Sequence, residues 1–346
     1  MITIVLGGQY GSEGKGSVVS WMAKHKPFDL SIRTGGSNAG HSFIDHSGKL
    51  HKMRQIPCSW DAQPNTPVYI PAGAVIKPEI FFEELKTVRE AGYGSMVYVS
   101  PFASVITEAA EEREQALMSG STKEGVGATR ALKCVRQAPL IGDTQDPRFN
   151  LHSQRALGFE VVEDGQVDGV LQRNDKRILI EATQGFGLSL NYKFYPFCTS
   201  TDLTPYQLLQ DAEMPFGVHN VEVWMVIRTF PIRIAGNSGY LYNELSWDIL
   251  QNRYGSHIPV EQTTVTKKTR RVGEFDVGLV KDAIRQCRPN RIVLTFFDYL
   301  FPTTTDPISK DQDRWLNSLE SKIGAKISHL GVGIGKIIER NGKAAR

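Results

Sequence analysis

A glycine-rich segment near the start of the chain, residues 7–17, has the composition of a phosphate-binding loop. It reads Gly-Gly-Gln-Tyr-Gly-Ser-Glu-Gly-Lys-Gly-Ser and lies between two apolar segments, 2–6 and 18–23. That order predicts a strand, a loop and a helix. Glycines let main-chain N–H groups approach a phosphate, and the helix N-terminus adds its positive dipole end. Lys15 adds a mobile cation, so the segment indicates phosphate binding.

The segment departs twice from the P-loop pattern G-x-x-x-x-G-K-[ST]. Gln9 stands in place of the first glycine, and Gly16 stands in place of the final Ser or Thr. The usual magnesium-binding position therefore carries no hydroxyl. A surface turn with a chance lysine is the alternative interpretation, but the order strand–loop–helix favours phosphate binding.

A second glycine-rich segment, Thr-Gly-Gly-Ser-Asn-Ala-Gly-His-Ser at 34–42, follows another apolar run. It places Asn38 and His41 on a flexible backbone. A histidine in such a loop can act as a general acid near neutral pH. An exposed histidine in an ordinary turn fits the same residues, so both interpretations stay open here.

The rest of the chain alternates apolar β-rich runs with amphipathic helical patterns. The runs lie at 2–6, 28–33, 68–70, 96–99, 178–182, 221–229 and 291–297. The helical patterns lie at 79–90, 108–118 and 277–287. This alternation predicts an α/β fold with a mainly parallel central sheet flanked by helices. We expect one domain over 1–346, with polar surface excursions at about 142–176 and 236–262.

Composition narrows the classes of function. A net charge of +3 over 346 residues gives no strongly basic face, so we expect no nucleic-acid partner. The four cysteines lie far apart without a C-x-x-C pair, which argues against zinc and disulfides. No apolar stretch has membrane-spanning length and the start has no signal-type segment, so we expect a cytoplasmic protein without membrane contacts.

Taken together, the two glycine-rich loops resemble those of the adenylosuccinate synthetase family, which carries Gly-Asp-Glu-Gly-Lys-Gly and Gly-Gly-x-Asn-Ala-Gly-His at this separation. Further blocks resemble the family in the same order. Residues 120–127 resemble its phosphate loop, 181–185 its Glu-Gly-Ala-Gln-Gly segment, 195–200 its Tyr-Pro-Tyr-Val-Thr-Ser segment and 266–273 its arginine-rich aspartate loop. The resemblance implies a P-loop-like fold, a carbon–nitrogen ligase, Mg²⁺ as cofactor and a homodimer.

The family's reaction phosphorylates the purine 6-oxygen and then displaces that phosphate with the amino group of L-aspartate. The residues that the resemblance implies for catalysis are Ser12, Lys15, His41 and Gln184. Those implied for the nucleotide substrate are Ser12, Asn38, Ser121, Thr122, Gln184, Thr199 and, from the neighbouring subunit, Arg136.

Two further sets of residues follow from the same resemblance. Those implied for L-aspartate are Thr266, Lys268 and Arg270. Those implied for the nucleoside triphosphate are Gly11, Glu13, Gly14, Lys15, Gly16, Ser17, Gly40, His41, Ser42, Asp298 and Gly331. The implied Mg²⁺ ligands are Ser12 and the carbonyl of Gly40.

Ser12 departs from the family, where this position is an aspartate that acts on N1 of the hypoxanthine of IMP and binds Mg²⁺. A serine is neither a carboxylate nor a base at physiological pH. Its smaller side chain leaves room for the 2-amino group of guanine and can accept a hydrogen bond from it. The sequence is therefore similar to the phage-associated branch that makes 2-amino-2′-deoxyadenylosuccinate from dGMP, a step toward diaminopurine DNA.

Two alternatives to that branch stay open from the sequence. The first is an adenylosuccinate synthetase that uses IMP and GTP. The second is a catalytically silent protein that binds purine nucleotides. Against the silent protein, the other catalytic-type residues of the family remain in place.

The segment that reads the base of GTP in the family also differs here. The family has Lys-x-Asp, whereas this chain keeps Asp298 and has Phe296 in place of the lysine. An aromatic face stacks on any purine, so we expect ATP or dATP rather than GTP. The alternative is that Phe296 belongs to the strand core. Lys268 replaces an arginine near the ribose 2′-hydroxyl, a change that suits a deoxynucleotide.

Overall fold

The structure is a computed structural model that describes residues 1–116, 122–162, 167–215, 217–263 and 267–340. Its strands are β1 Ile2–Gly7, β2 Leu30–Arg33, β3 His41–Ile44, β4 Leu50–Met53, β5 Val68–Ile70, β6 Val75–Ile76, β7 Val97–Val99, β8 Ser104–Val105, β9 Phe159–Val161, β10 Ile178–Glu181, β11 Val221–Arg228, β12 Ile232–Arg233, β13 Glu244–Leu245, β14 Arg271–Gly273, β15 Arg291–Thr295, β16 His329–Gly331 and β17 Ile337–Glu339. Its α-helices are α1 Lys15–His25, α2 Pro78–Glu90, α3 Glu108–Gln115, α4 Val126–Cys134, α5 Leu151–Leu157, α6 Asp168–Leu171, α7 Pro205–Asp211, α8 Trp247–Tyr254, α9 Val277–Cys287 and α10 Lys310–Ile323.

Ten of the strands in the described ranges form one central sheet, in the order β17-β16-β15-β11-β1-β10-β2-β5-β7-β9. Every neighbouring pair is parallel except β16 and β17. The prediction of an α/β fold with a mainly parallel sheet is therefore confirmed. All seven apolar runs contribute strands to this sheet, because a strand covered on both faces shows itself as continuous apolar sequence.

The hydrophobic core lies on both faces of the sheet. Along β1, Ile4 and Leu6 face one cluster of buried side chains, whereas Val5 faces the other. Helix α1 covers the second face through residues such as Val18, and α9 covers the first through residues such as Leu279. Within the described residues, no helix has both the length and the apolar character needed to span a bilayer.

The two segments expected as surface excursions both contribute packed structure. Segment 142–176 contains β9, which pairs with β7 at the sheet edge and buries Phe159. Segment 236–262 contains α8, whose Trp247 and Leu250 pack in a smaller cluster with Val272. These apolar positions are too few and too scattered among polar residues to produce a periodic signal in the sequence.

Candidate active site

The loops singled out in the sequence meet at one edge of the central sheet. Strands β1, β2, β10, β11 and β15 run parallel, so their carboxyl ends share that edge. In open α/β sheets, ligands bind outside the carboxyl ends of the strands. The residues at which these five strands end are Gly7, Arg33, Glu181, Arg228 and Thr295.

The first glycine-rich loop folds around a buried carboxylate. Helix α1 begins at Lys15 after Gly14, whose φ of 82° is left-handed. The Lys15 Nζ lies 2.8 Å from Glu13 Oε2, and both side chains are almost fully buried. The other carboxylate oxygen accepts main-chain N–H groups of Gln9 at 3.1 Å and Gly11 at 2.7 Å. The expected mobile cation is thus held in an ion pair, and Glu13 can reach a triphosphate only through its main chain.

Both departures from the P-loop pattern have a structural reason. The Gln9 side chain bonds the main chain of Arg228 on β11, with Oε1 accepting at 2.8 Å and Nε2 donating at 3.1 Å. A Cβ on Gly16 would lie 2.9 Å from the Cβ of His41 and 3.0 Å from Cys58 Sγ. A Ser or Thr in place of Gly16 would therefore push away the loop that carries His41.

Ser12 lies at the exposed tip of this loop and contacts two arginines. It has a left-handed φ of 59°. Arg270 Nη1 donates to its hydroxyl at 2.8 Å, and Arg228 Nη1 donates to its carbonyl at 2.9 Å. The hydroxyl at this position therefore faces the loop that is implied to hold L-aspartate.

The aspartate loop is a hairpin that presents Arg270. The main-chain N–H of Arg270 donates to the carbonyl of Glu261 at 2.9 Å, and the Arg270 carbonyl accepts from the Trp247 indole N–H at 2.7 Å. The Glu261 carboxylate forms an ion pair with Arg228. Lys268 lies in the same hairpin with an exposed side chain, whereas Thr266 lies outside the described residues.

His41 forms a buried ion-pair cluster with two strand-terminal residues. Its Nδ1 lies 2.5 Å from Glu181 Oε1, which also accepts from Arg33 Nη1 at 2.6 Å. Burial and the neighbouring Arg33 cation lower the pKa of His41 to about 3, so the imidazole is neutral. Burial favours a raised pKa for Glu181, but Arg33 and His41 outweigh it and lower the pKa to about 2.

The described residues contain one cluster with metal-ligating side chains close together, namely His41, Cys58 and Glu181. Both carboxylate oxygens of Glu181 already accept hydrogen bonds, one from Arg33 and the other from the Cys58 main-chain N–H at 2.6 Å. Because a guanidinium already neutralises the carboxylate, a metal ion does not fit between these residues.

The two implied Mg²⁺ ligands differ in how well they suit a cation. The Ser12 hydroxyl accepts a hydrogen bond from the Arg270 guanidinium, so a second cation on the same oxygen would be repelled. Gly40 lies on an exposed loop, where its carbonyl can take part in coordination. A carbonyl oxygen together with phosphate oxygens and water is an ordinary Mg²⁺ environment.

The segment that resembles the family's phosphate loop leads into α4, and the N-terminus of that helix is already capped by a side chain. Glu114 of α3 accepts main-chain N–H groups of Gly125 and Ala128, both at 3.0 Å, and also that of Gly127. This carboxylate satisfies the exposed N–H groups of the first turn of α4. Phosphate binding by this loop would therefore use residues ahead of the helix, such as the half-buried Thr122.

The remaining residues implied for the nucleotide lie on separate loops. Asn38 and Thr199 are half-buried, and Ser121 lies outside the described residues. Gln184 has a left-handed φ of 60°, and its side chain lies beside Gly11 of the first loop. Arg136 follows α4 with an exposed side chain, so the structure leaves it away from the packed interior.

The segment implied for the donor base lies beside the first loop. The Phe296 ring contacts the Arg228 guanidinium, which is 3.8 Å from the ring centroid. Phe296 has a left-handed φ of 55° and comes directly after β15, so it is not part of the strand. Burial raises the pKa of Asp298, and Gly331 on β16 lies against Thr295.

The side chains of the first helical turn and the second loop contact one another. The Ser17 hydroxyl donates to the carbonyl of Ser42 at 3.2 Å. This contact joins α1 to β3 directly after Gly40 and His41. Both serines therefore have a packing role next to the implied triphosphate site.

Several residues of this site escaped the sequence-based prediction. They are buried or half-buried polar side chains at strand ends, in loops or on α3: Gln9, Arg33, Glu114, Glu181, Arg228 and Glu261. Arg33, Glu181 and Arg228 each close an apolar run, and a charged residue at the carboxyl end of a predicted parallel strand is the signal that would have found them.

The adenylosuccinate synthetase family model matches residues 4–160 and 161–310 of this chain. The chain therefore belongs to the adenylosuccinate synthetase family, whose members are carbon–nitrogen ligases.

Relatives from phages and from archaea are similar over most of the chain. The N6-succino-2-amino-2′-deoxyadenylate synthase of Vibrio phage phiVC8 is 32% identical over 309 residues, which cover 87% of each chain. The adenylosuccinate synthetase of Pyrococcus sp. (strain ST700) is 30% identical over 343 residues, which cover 95% of each chain.

A solved structure shows the same fold. The succinoaminodeoxyadenylate synthetase of cyanophage S-2L, solved bound to dGMP and to dATP as an energy donor, superposes with a TM-score of 0.83. The two sequences are 25% identical, and the match covers 99% of this chain and 96% of the other.

Proposed function

We propose that this protein is a ligase that joins L-aspartate to dGMP and uses ATP or dATP as the energy donor. The products are N6-succino-2-amino-2′-deoxyadenylate, the nucleoside diphosphate and phosphate, in a step toward diaminopurine DNA. The observation that carries the proposal is Ser12, which replaces the family's aspartate while Lys15, His41, Gln184 and Arg270 remain. The reaction belongs in the cytoplasm, that of the host cell if a phage encodes the chain.

The environment of Ser12 supports the choice of guanine. Its hydroxyl has two lone pairs, and Arg270 occupies one of them. The second lone pair is available to the 2-amino group, which hypoxanthine lacks. The similarity to phage enzymes named for this product points the same way.

The first step moves the γ-phosphoryl group of the donor to the guanine 6-oxygen and releases the diphosphate, while the proton on N1 of guanine passes to water because Ser12 is not a base. Such transfers depend on positioning and on charge neutralisation. Lys15 and the loop N–H groups between Gly11 and Ser17 neutralise the phosphate oxygens once the triphosphate competes with Glu13 for them. His41 contacts the transferred group, and Gln184 orients the purine. When bound beside Gly40, Mg²⁺ supplies further charge neutralisation at the phosphates.

The second step forms a bond between the aspartate amino nitrogen and C6, and the C6–O bond to phosphate breaks. Arg270 grips a carboxylate of aspartate with its planar donor fork, assisted by Lys268 and Thr266. The contact between Arg270 and Ser12 supports an arrangement in which the incoming aspartate binds next to the purine.

The 5′-phosphate and sugar of dGMP are held by Asn38, Ser121, Thr122 and Thr199. The neighbouring subunit of a homodimer completes the site with Arg136, whose exposed side chain suits this role. Phe296 stacks on the donor base, with Asp298 and Gly331 at its edge.

A substrate matrix tests the proposal. Phosphate release is measured with dGMP, GMP, dIMP or IMP against ATP, dATP or GTP, each with and without L-aspartate. We expect release that needs both dGMP and aspartate and is highest with ATP or dATP. A strong preference for IMP and GTP would contradict it and establish the second candidate, which the similarity to the Pyrococcus enzyme favours. Nucleotide binding without turnover for every pair would indicate a silent binding protein.

A further inference from the structure

Glu181 holds three segments of the site through one fully buried carboxylate. Its Oε1 accepts from Arg33 Nη1 at 2.6 Å and from His41 Nδ1 at 2.5 Å, and its Oε2 accepts from the Cys58 N–H at 2.6 Å. These donors come from the end of β2, the start of β3 and the loop after β4. Both oxygens of the Glu181 carboxylate are therefore engaged in contacts with these three segments.

Arg33 keeps this carboxylate ionised. Its own side chain is 1% exposed, and it is anchored through Nη2 to the Ala39 carbonyl at 2.7 Å and through Nε to the Arg54 carbonyl at 3.1 Å. A buried carboxylate with a guanidinium at 2.6 Å stays charged, and a charged carboxylate can only accept hydrogen bonds. Arg33 Nη1 also lies 3.1 Å from His41 Nδ1, but the Glu181 oxygen is nearer to that nitrogen, at 2.5 Å, and carries no proton of its own. The proton between Glu181 and His41 therefore lies on Nδ1 of the imidazole.

We propose that Glu181 is a positioning residue for the ligase reaction, because it selects the Nδ1–H tautomer of His41 and directs Nε2 toward the nucleotide. The inference rests on the proposed function only in giving His41 a substrate to contact. The ring nitrogen that a histidine uses is set by the hydrogen bond at the other nitrogen. Without the carboxylate, Arg33 Nη1 at 3.1 Å is the neighbour of Nδ1, and because a guanidinium can only donate, it favours the Nε2–H tautomer.

A Glu181→Gln variant tests this role. It keeps the shape of the side chain but removes the charge that selects the tautomer. In ¹⁵N-histidine NMR spectra, with His41→Asn to assign the signals, we expect Nδ1–H in the wild type and a shift toward Nε2–H in the variant. Turnover should fall about 10- to 100-fold, with KM values for dGMP and ATP changed less than about threefold.

Glu84→Gln is the matched control. Glu84 is also a buried carboxylate that accepts main-chain N–H groups, including those of Gln55 at 3.0 Å and Ile56 at 2.9 Å. The hydrogen bonds that Glu84 accepts among the described residues come from main-chain N–H groups and not from a histidine, so its loss should lower thermal stability while the tautomer of His41 stays unchanged. If Glu181→Gln does not fold, Glu181→Asp replaces it. The shorter side chain keeps the charge but draws the acceptor away from Nδ1, so we expect a smaller shift toward Nε2–H.

Three results would overturn the proposal. In the first, the tautomer of His41 is unchanged in Glu181→Gln. In the second, Glu181→Gln lowers turnover by the same factor whether residue 41 is histidine or asparagine. In the third, the protein binds one equivalent of zinc, and Cys58→Ser abolishes that binding. The first result is read without any substrate. Absence of turnover in the wild type would therefore count against the proposed function and not against the role of Glu181.

Discussion

Arg270 donates a hydrogen bond to the hydroxyl of Ser12 at 2.8 Å, although 258 positions separate the two residues in the chain. One residue is proposed to grip L-aspartate and the other to accept from the 2-amino group of guanine. In the proposed reaction, this contact would bring the two substrates to adjacent positions. It also means that a change at either residue alters the surroundings of the other.

The first prediction concerns Ser12→Asp. The added carboxylate would crowd the 2-amino group and form an ion pair with Arg270, so kcat/KM for dGMP should fall at least about tenfold. The use of IMP should rise relative to dGMP. Aspartate tolerates the left-handed backbone at this position, so the variant should fold. Ser12→Ala adds no charge, so kcat/KM for dGMP should fall less in that variant. Unchanged turnover of dGMP by Ser12→Asp would contradict the steric argument.

The second prediction concerns Arg270→Gln. Removing the guanidinium should raise the KM for L-aspartate about 10- to 100-fold, because charge-assisted hydrogen bonds to a carboxylate are lost. The KM for ATP should change little. Arg271→Gln is the control, because Arg271 faces away and pairs with Glu244 at 2.7 Å. Equal effects of the two substitutions would count against a specific role for Arg270.

The third prediction concerns Phe296→Ala. Stacking of a base on an aromatic ring contributes about 1–3 kcal/mol, so the KM for ATP should rise about tenfold. The KM for dGMP should stay the same, because Phe296 is proposed to contact the base of the donor only. Phe301→Ala, in the neighbouring aromatic cluster, serves as control. An unchanged KM for ATP would assign Phe296 to packing alone.

The fourth prediction concerns the proposed homodimer. Arg136→Ala and His41→Asn should each be nearly inactive alone. Random mixing in a two-fold dimer makes half of the dimers mixed, each with one complete site, so about one quarter of wild-type activity should return. The measurement is phosphate release after co-expression or subunit exchange. No recovery in dimers verified as mixed would exclude a site shared between subunits.

The fifth prediction concerns pH and His329, which lies apart from the proposed chemistry. Burial, with Arg291 and Lys26 nearby, lowers the pKa of His329 to about 4 from 6.5. Between pH 6.5 and about pH 4 the unfolded chain then binds more protons than the folded chain, so the free energy of unfolding falls as pH decreases through this window. Relative to His329→Gln, the wild type should lose about 3 kcal/mol more between pH 7 and pH 4.

Urea unfolding at several pH values measures this difference. His46 offers a control of opposite sign, because its hydrogen bond to Asp61 raises the pKa of the exposed imidazole. The stability from that contact is present at low pH and is lost as pH rises, so His46→Asn should steepen the loss in acid. Identical pH profiles for wild type and His329→Gln would contradict the shift at His329.

Local signals predicted most of the elements that carry the site. Residues 277–287 have apolar positions at helical spacing, and α9 spans that range. The glycine loop between two apolar segments likewise became β1, a loop and α1. Short elements such as β9 and β16 were missed, because each has a charged or polar residue beside few apolar ones, whereas the equally short run at 68–70 does not.

The state of Lys15 shows where local sequence stops being informative. A lysine in a glycine loop predicts a free cation, but Glu13 bends back through the loop and pairs with it at 2.8 Å. The same carboxylate takes the N–H groups expected to face a phosphate. The course of the backbone decides this, since residues two positions apart can point toward each other only where glycines allow the turn.

The sequence by itself determined the family, the α/β class of the fold and the replacement of the family's aspartate by Ser12. Those features are local motifs in a fixed order, so they need no knowledge of contacts. Only the tertiary structure decided that Ser12 meets Arg270 and that Glu181 holds His41. The contact of Glu181 with His41 depends on strand order, because parallel strands bring their carboxyl ends to one edge however far apart they lie in the chain. The contact of Ser12 with Arg270 depends on the segment ahead of β14, which reaches the loop after β1.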